Sequence, residues 1–202
     1  WANIRGNGVI SAEFAGNRSA YVNYALSANR WYHVVYTKTA GAINTTSKFY
    51  INGADLGSMD AGSSATTPNI TYSIFRMGEW ADYPDGTFAG NLDEVRIYNR
   101  ALSAAEVSAL YNADKAVVTQ KAVNNTGLVG YWSFDDATGT IATDYSGNRN
   151  AGTLVASPAW VNGNKRSALN FNGSSQYVTK ANPIGLPSGQ SAVTASVWVK
   201  PN

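Results

Sequence analysis

The stretch NLDEVRIYNRALSAAEVSALYN, residues 91–112, decides how the rest of the chain is read. Its first part has the apolar alternation of a strand, and on a two-residue period Asp93 shares a face with Val95 and Ile97. Its second part begins a helix. Ser103 and Glu106 have the spacing of a capping box, and Leu102 and Val107 stand where a hydrophobic staple closes. Val107 and Leu110 fall on one helical face, so the helix is expected to lie against a sheet. A last strand followed by a capped helix reads as the end of a unit. Residues 127–148, GLVGYWSFDDATGTIATDYSGN, read instead as a beginning.

Strand signals fill the chain before this stretch. GVISAEFAG alternates Ile10, Ala12 and Phe14, and SAYVNYAL alternates Ala20, Val22, Tyr24 and Leu26. WYHVVYTKT sets Trp31, His33 and Val35 against Tyr32, Val34 and Tyr36. KFYINGADLG carries Asn52-Gly53 between apolar flanks, a strong hairpin signal. SIFRMGEW gives a further strand. After Asn112 the pattern lapses, and residues 113–126 read as a connector. Strands return in LVGYWSF, ALNFNGSSQYVTK and AVTASVWVK. In the last, Val193, Ala195, Val197 and Val199 face one way and Trp198 the other.

Composition sets outer bounds. The 202 residues suffice for one large β domain or two small ones. Charged residues are 14%, well under the usual quarter, which suits a loop-rich, secreted type of surface. The net charge is +2 with no run of cations; NGNKRS at 162–167 is the densest, with two adjacent. No nucleic-acid footprint is present. The count of zero cysteines removes disulfides and thiolate chemistry. No apolar run reaches the ~18 residues a membrane span needs. The chain starts at Trp1, not Met, and is expected to be a processed or trimmed piece.

Several stretches together resemble the laminin-G-like, concanavalin A-like jelly roll of bacterial surface and secreted proteins. They are GLVGYWSFDDATGTIATDYSGNRNAGTL, SALNFNGSSQYV, SVWVKPN, RWYHVVYT, FYINGADLG and GNLDEVRIYNRALSAAEVSALYN. The resemblance implies an all-β sandwich of two antiparallel sheets with one short helix, located outside the cell or on its surface. It also implies an order opposite to the one seen, since in that family the GLVGYWSF stretch opens the domain and the LDEVRIYNRALS stretch ends it. Residues 1–112 then form the back portion of a domain, 113–126 a linker, and 127–202 the front portion of a domain. Three arrangements are open: a window across tandem repeats, a circular permutant, or half-domains completed head to tail by neighbours.

Calcium is the expected ion. DYSGNRNAG offers Asp144, the Asn148 amide and the Asn150 carbonyl in a glycine-permitted loop, and calcium takes six to eight such oxygens. Asp93 is the expected partner from the closing strand, because an inward carboxylate needs a cation or several hydrogen bonds. The resemblance implies the same ion, joining the opening loop to the last strand, although Ala151 stands where the family often has Asp or His. The alternative is an Asx-turn loop and a hydrogen-bonded Asp93.

Carbohydrate contact is the next expectation. GEWADYPDGTF places Trp80 and Tyr83 with Glu79, Asp82 and Asp85, aromatic faces beside hydroxyl acceptors. Glycoside hydrolysis is not expected: it needs two carboxylates ~5–9 Å apart across a bond, and the adjacent Asp93-Glu94 and Asp135-Asp136 point to opposite strand faces. His33, the one histidine, sits in a strand and is expected to be structural. The expected role is a non-catalytic extracellular structural repeat or filament subunit, partnered by copies of itself. A calcium-dependent carbohydrate-binding or adhesion module, engaging glycans or surface proteins, is the alternative.

Overall fold

The computed structural model describes residues 2–4, 9–14, 17–41, 46–57, 74–79, 87–115, 124–188 and 191–202. In chain order the strands are β1 (Ala2–Ile4), β2 (Val9–Phe14), β3 (Asn17–Asn23), β4 (Tyr32–Lys38), β5 (Ser47–Ile51), β6 (Ala54–Gly57), β7 (Ile74–Met77) and β8 (Ala89–Tyr98). Helix α1 (Ala104–Lys115) follows. Then come β9 (Leu128–Trp132), β10 (Ile141–Ala142), β11 (Gly152–Val155), β12 (Ala159–Asn162), β13 (Ser167–Asn172), β14 (Tyr177–Ala181) and β15 (Val193–Pro201).

The two main sheets are antiparallel and face each other across one core, the sandwich expected from the sequence. The larger runs β12-β13-β8-β15-β4-β5-β6, with β9 also paired to β8. The smaller runs β10-β11-β14-β7, and β1-β2-β3 form a separate ribbon. The core joins Met77, Ala142, Leu154 and Val178 of the smaller sheet to Tyr36, Phe49, Val95, Ile97, Leu169, Phe171 and Val199 of the larger. Each buried Leu, Val or Phe side chain stabilises such a core by ~1.5–3 kcal/mol. β15 keeps the expected alternation: Val193, Ala195, Val197 and Val199 join this core, and Trp198 points to the opposite face.

The strands before and after α1 interleave. β15 lies between β8 and β4, and the other edge of β8 is taken by β13 near its start and by β9 near its end. In the smaller sheet β14 pairs with β7. Sheet and core are therefore built jointly by residues on both sides of α1.

Local chemistry explains the turns and the helix. Asn52 and Gly53 both take positive φ (53° and 80°), as a two-residue hairpin turn demands, and they link β5 to β6. The capping box forms as spaced: Glu106 N donates to Ser103 Oγ at 3.3 Å, and Ser103 N to Glu106 Oε2 at 2.9 Å. That cap contributes ~1 kcal/mol. Arg100 clasps both Glu106 oxygens (3.0 and 2.7 Å), and this bond, ahead of those from Ser103, draws the Glu106 carboxyl down to about 2. Asn124 Nδ2 also donates to Glu106 Oε1, at 3.2 Å, so the chain resumes beside the start of α1.

The helix runs to Lys115, three residues further than its pattern implied. Its Val107 and Leu110 pack on Val35, Tyr50 and Tyr98, on the face of the larger sheet away from the sandwich core. This cover is why β4 is buried on both faces instead of alternating. No described helix is long and apolar enough to cross a membrane.

Candidate functional site

β8 does not keep one face along its length. Ser196 of β15 stands opposite Arg96, but Trp198 stands opposite Asp93, so one extra residue of β8 is accommodated between them. Glu94 takes φ +54° there. This bulge reverses the alternation. Asp93 consequently sides with Arg96, and the expectation that it shares the face of Val95 and Ile97 is corrected. Its burial is still complete, at 0% exposure.

Asp93 points at the turn between β12 and β13. Lys165 N donates to its Oδ2 at 3.0 Å, while its Oδ1 is buried without a hydrogen-bond partner. Burial, aided by the nearby Glu94 and Asp135 charges and opposed by the Lys165 N–H, pushes the carboxyl up to about 8. The turn is held close by Gly163, whose N donates to Arg166 O at 3.0 Å. A methyl group on Gly163 would run into Lys165 O, and would lie 2.6 Å from Ser167 O and 2.7 Å from Asp93 Oδ2. Two main-chain carbonyls and one carboxylate oxygen thus crowd Gly163 so closely that only glycine fits. Asn164 Nδ2 in the same turn is also buried and unpartnered. The two cations of NGNKRS are its conspicuous feature, but its Asn162-Gly163 pair is the hairpin signal that marks this turn.

Asp144 lies elsewhere and is fully engaged. Its Oδ1 accepts Tyr131 N and Ser146 N, each at 2.9 Å, and its Oδ2 accepts Ser146 Oγ at 2.9 Å and Asn150 N at 2.8 Å. Four hydrogen bonds use about all that a carboxylate can accept. The Asn150 carbonyl accepts Trp132 Nε1 at 2.9 Å, and its amide bonds Val129 O and both backbone groups of Ile184. Asn148 Nδ2 donates to Leu128 O at 3.3 Å and to Ser146 Oγ at 3.2 Å. The loop is therefore an Asx-turn that ties β9 to the segment before β11. Asp144, Asn148 and Asn150 come together, but Asp93 addresses a different turn. Among the described residues no cluster of three or more His, Cys, Asp or Glu side chains forms.

His33, Ser196 and Glu94 of the larger sheet are buried. His33 Nε2 lies 2.9 Å from Ser196 Oγ, a nucleophile–base distance. Both side chains are buried, and the imidazole is stacked against Tyr111 and Trp198. Glu94 faces Arg96 and Tyr131, whose hydroxyl donates to Glu94 Oε2 at 2.9 Å. Glu94 therefore joins Asp93 on the Arg96 side of β8, against the expectation of opposite faces, although the two carboxylates have separate partners. Trp80, Asp82, Tyr83 and Asp85, the expected sugar contacts, lie outside the described residues.

A laminin-G family model, described as Concanavalin A-like lectin/glucanases superfamily, matches residues 3–108. The chain belongs to this superfamily. The matched span of the superfamily domain contains β8 with its bulge and the start of α1, while the strands that pair with β8 follow it in sequence. No curated protein and no solved structure matches the chain.

Proposed function

We propose that the chain is a non-catalytic module of an extracellular or cell-surface protein, serving there as a structural repeat with calcium as a stabilising ion. The observation that carries this reading is the buried Asp93, which links the closing strand β8 to the β12–β13 turn and has one oxygen still unsatisfied. A carboxylate so placed acts as a stitch between elements. A glycosidase acid stands beside an open cleft, whereas Asp93 has 0% exposure. The residue that would hold the ion is Asp93, through its unpartnered Oδ1, an oxygen donor of the kind calcium prefers. Bound there, calcium would supply the positive charge that a buried carboxylate otherwise replaces by taking a proton.

Membership in a superfamily of lectins and glucanases favours a second reading, calcium-dependent glycan or adhesion binding through Trp80, Asp82, Tyr83 and Asp85. One panel separates the readings. The structural reading expects no retention on a glycan array and no reducing sugar released from β-glucans. Retention that is lost in Trp80→Ala would establish the binding module instead. Sugar release abolished by Glu94→Gln would overturn the non-catalytic assignment.

A further inference from the structure

Among the described residues β8 has no strand partner from its own side of α1. One edge is bonded to β13 and β9 and the other to β15, all within residues 124–202. The dependence runs both ways. Among the described residues β9 pairs only with β8, and β15 only with β8 and β4. Parted from each other, the segments 22–115 and 124–202 would each bare ladder edges and a half-core. Such edges are templates for another strand. The segments are joined in the chain only through residues 116–123.

We propose that residues 22–115 of one copy of this chain are completed by residues 124–202 of a second copy. Every hydrogen bond and core contact made between segments of one chain is available, unchanged, between two chains. The two states differ only in the connector and in the entropy of association. A short connector gives an effective concentration on the order of millimolar. An isolated chain at micromolar concentration therefore closes on itself, and crowded copies exchange. Reciprocal exchange closes a dimer, while one-way exchange leaves an open segment at each end and propagates. The inference takes its setting from the surface-repeat reading, but its test involves neither calcium nor glycan, so the two fail separately.

The test is complementation between two full-length variants. Ile97→Pro disables β8, where Ile97 stands between Ala195 and Gly130. Val199→Pro disables β15, where Val199 stands between Tyr32 and Leu92. Proline in a strand bonded on both edges removes a ladder bond. Each variant refolded alone is expected to show no cooperative unfolding transition. Refolded together at high concentration, the two intact segments build one sandwich per pair. About half of the wild-type transition amplitude then returns, in a particle containing both variants. A mixture that refolds no better than its components overturns the proposal. If either variant folds alone, isotopically light and heavy wild-type chains are co-refolded and weighed by native mass spectrometry. Mixed dimers that grow with concentration support exchange; unmixed monomers at every concentration overturn it.

Discussion

Trp132→Ala is expected to lower the unfolding free energy by about 3–5 kcal/mol while leaving one unfolding transition, not two. Trp132 has 0% exposure. Its ring stacks on Phe75 of β7 at 5.1 Å, it stands opposite Val95 of β8, and its Nε1 donates to Asn150 O. It thus touches both sheets and both sides of α1. The backbone of Gly130 leaves room for the ring, since a methyl group there would run into it. Truncation leaves a cavity between the sheets and an unmet carbonyl in the Asx-turn loop, and both add to the cost. A loss of this size is a large share of the ~5–15 kcal/mol that holds a domain together. Because the core is shared, residues 22–115 should melt with residues 124–202. Urea titration followed by tryptophan fluorescence and by far-ultraviolet circular dichroism checks this. Two separated transitions, with only one shifted by the substitution, would show that the segments fold apart.

Chelated protein is expected to lose stability as pH rises from about 4 to about 8, with Asp93 as the source. Its carboxyl holds a proton up to about 8 when folded, against 3.8 ordinarily. Between those values the folded state binds more protons than the unfolded state, so raising pH favours unfolding. The contribution is complete below the lower value and gone above the upper one. At ~1.4 kcal/mol per pH unit, the whole effect is on the order of 5 kcal/mol at most. Calcium at Asp93 would replace the proton, so added calcium should raise the melting temperature most near pH 8. Asp93→Asn should flatten the pH slope and abolish the calcium response. Asp144→Ala should lower stability with and without calcium and keep the response, because its four hydrogen bonds serve the loop. The opposite pattern, a response lost with Asp144 and kept without Asp93, would move the ion to the Asx-turn loop.

Much of this architecture was legible in local sequence. Asn52-Gly53 specified a turn by backbone conformation alone, and Ser103 with Glu106 specified a helix start by their hydrogen bonds. The alternation of β15 separated its two faces correctly. These signals act within a few residues, and a sequence displays such spacing directly. The bulge at Glu94 was not legible, because LDEVRIY carries no glycine or other mark to show where the alternation breaks. A strict two-residue period turns Asp93 inward, and the bulge interrupts that period. The choice between Asp144 and the Lys165 turn as its neighbour depends on pairing between residues more than seventy positions apart. The oxygen-rich DYSGN loop had two physical uses, ion binding or an Asx-turn, and its local residues suited both equally. The pairing of β8 with strands beyond α1 is likewise a long-range property.

The interleaving of the two segments is the central claim, and one cross-link tests it directly. Asn91 of β8 and Asn170 of β13 are register partners, and their side chains meet with Asn170 Nδ2 donating to Asn91 Oδ1 at 2.6 Å. Directly paired strand residues lie within the ~4.4–6.8 Å between Cα atoms that a disulfide spans. The natural chain contains 0 cysteines, so the double variant Asn91→Cys/Asn170→Cys has only the two introduced thiols. At low micromolar concentration under mild oxidation, the account predicts a disulfide within one chain, seen as a monomer two hydrogens lighter than the reduced protein in mass spectrometry. Two thiols that stay free in the folded protein would contradict it.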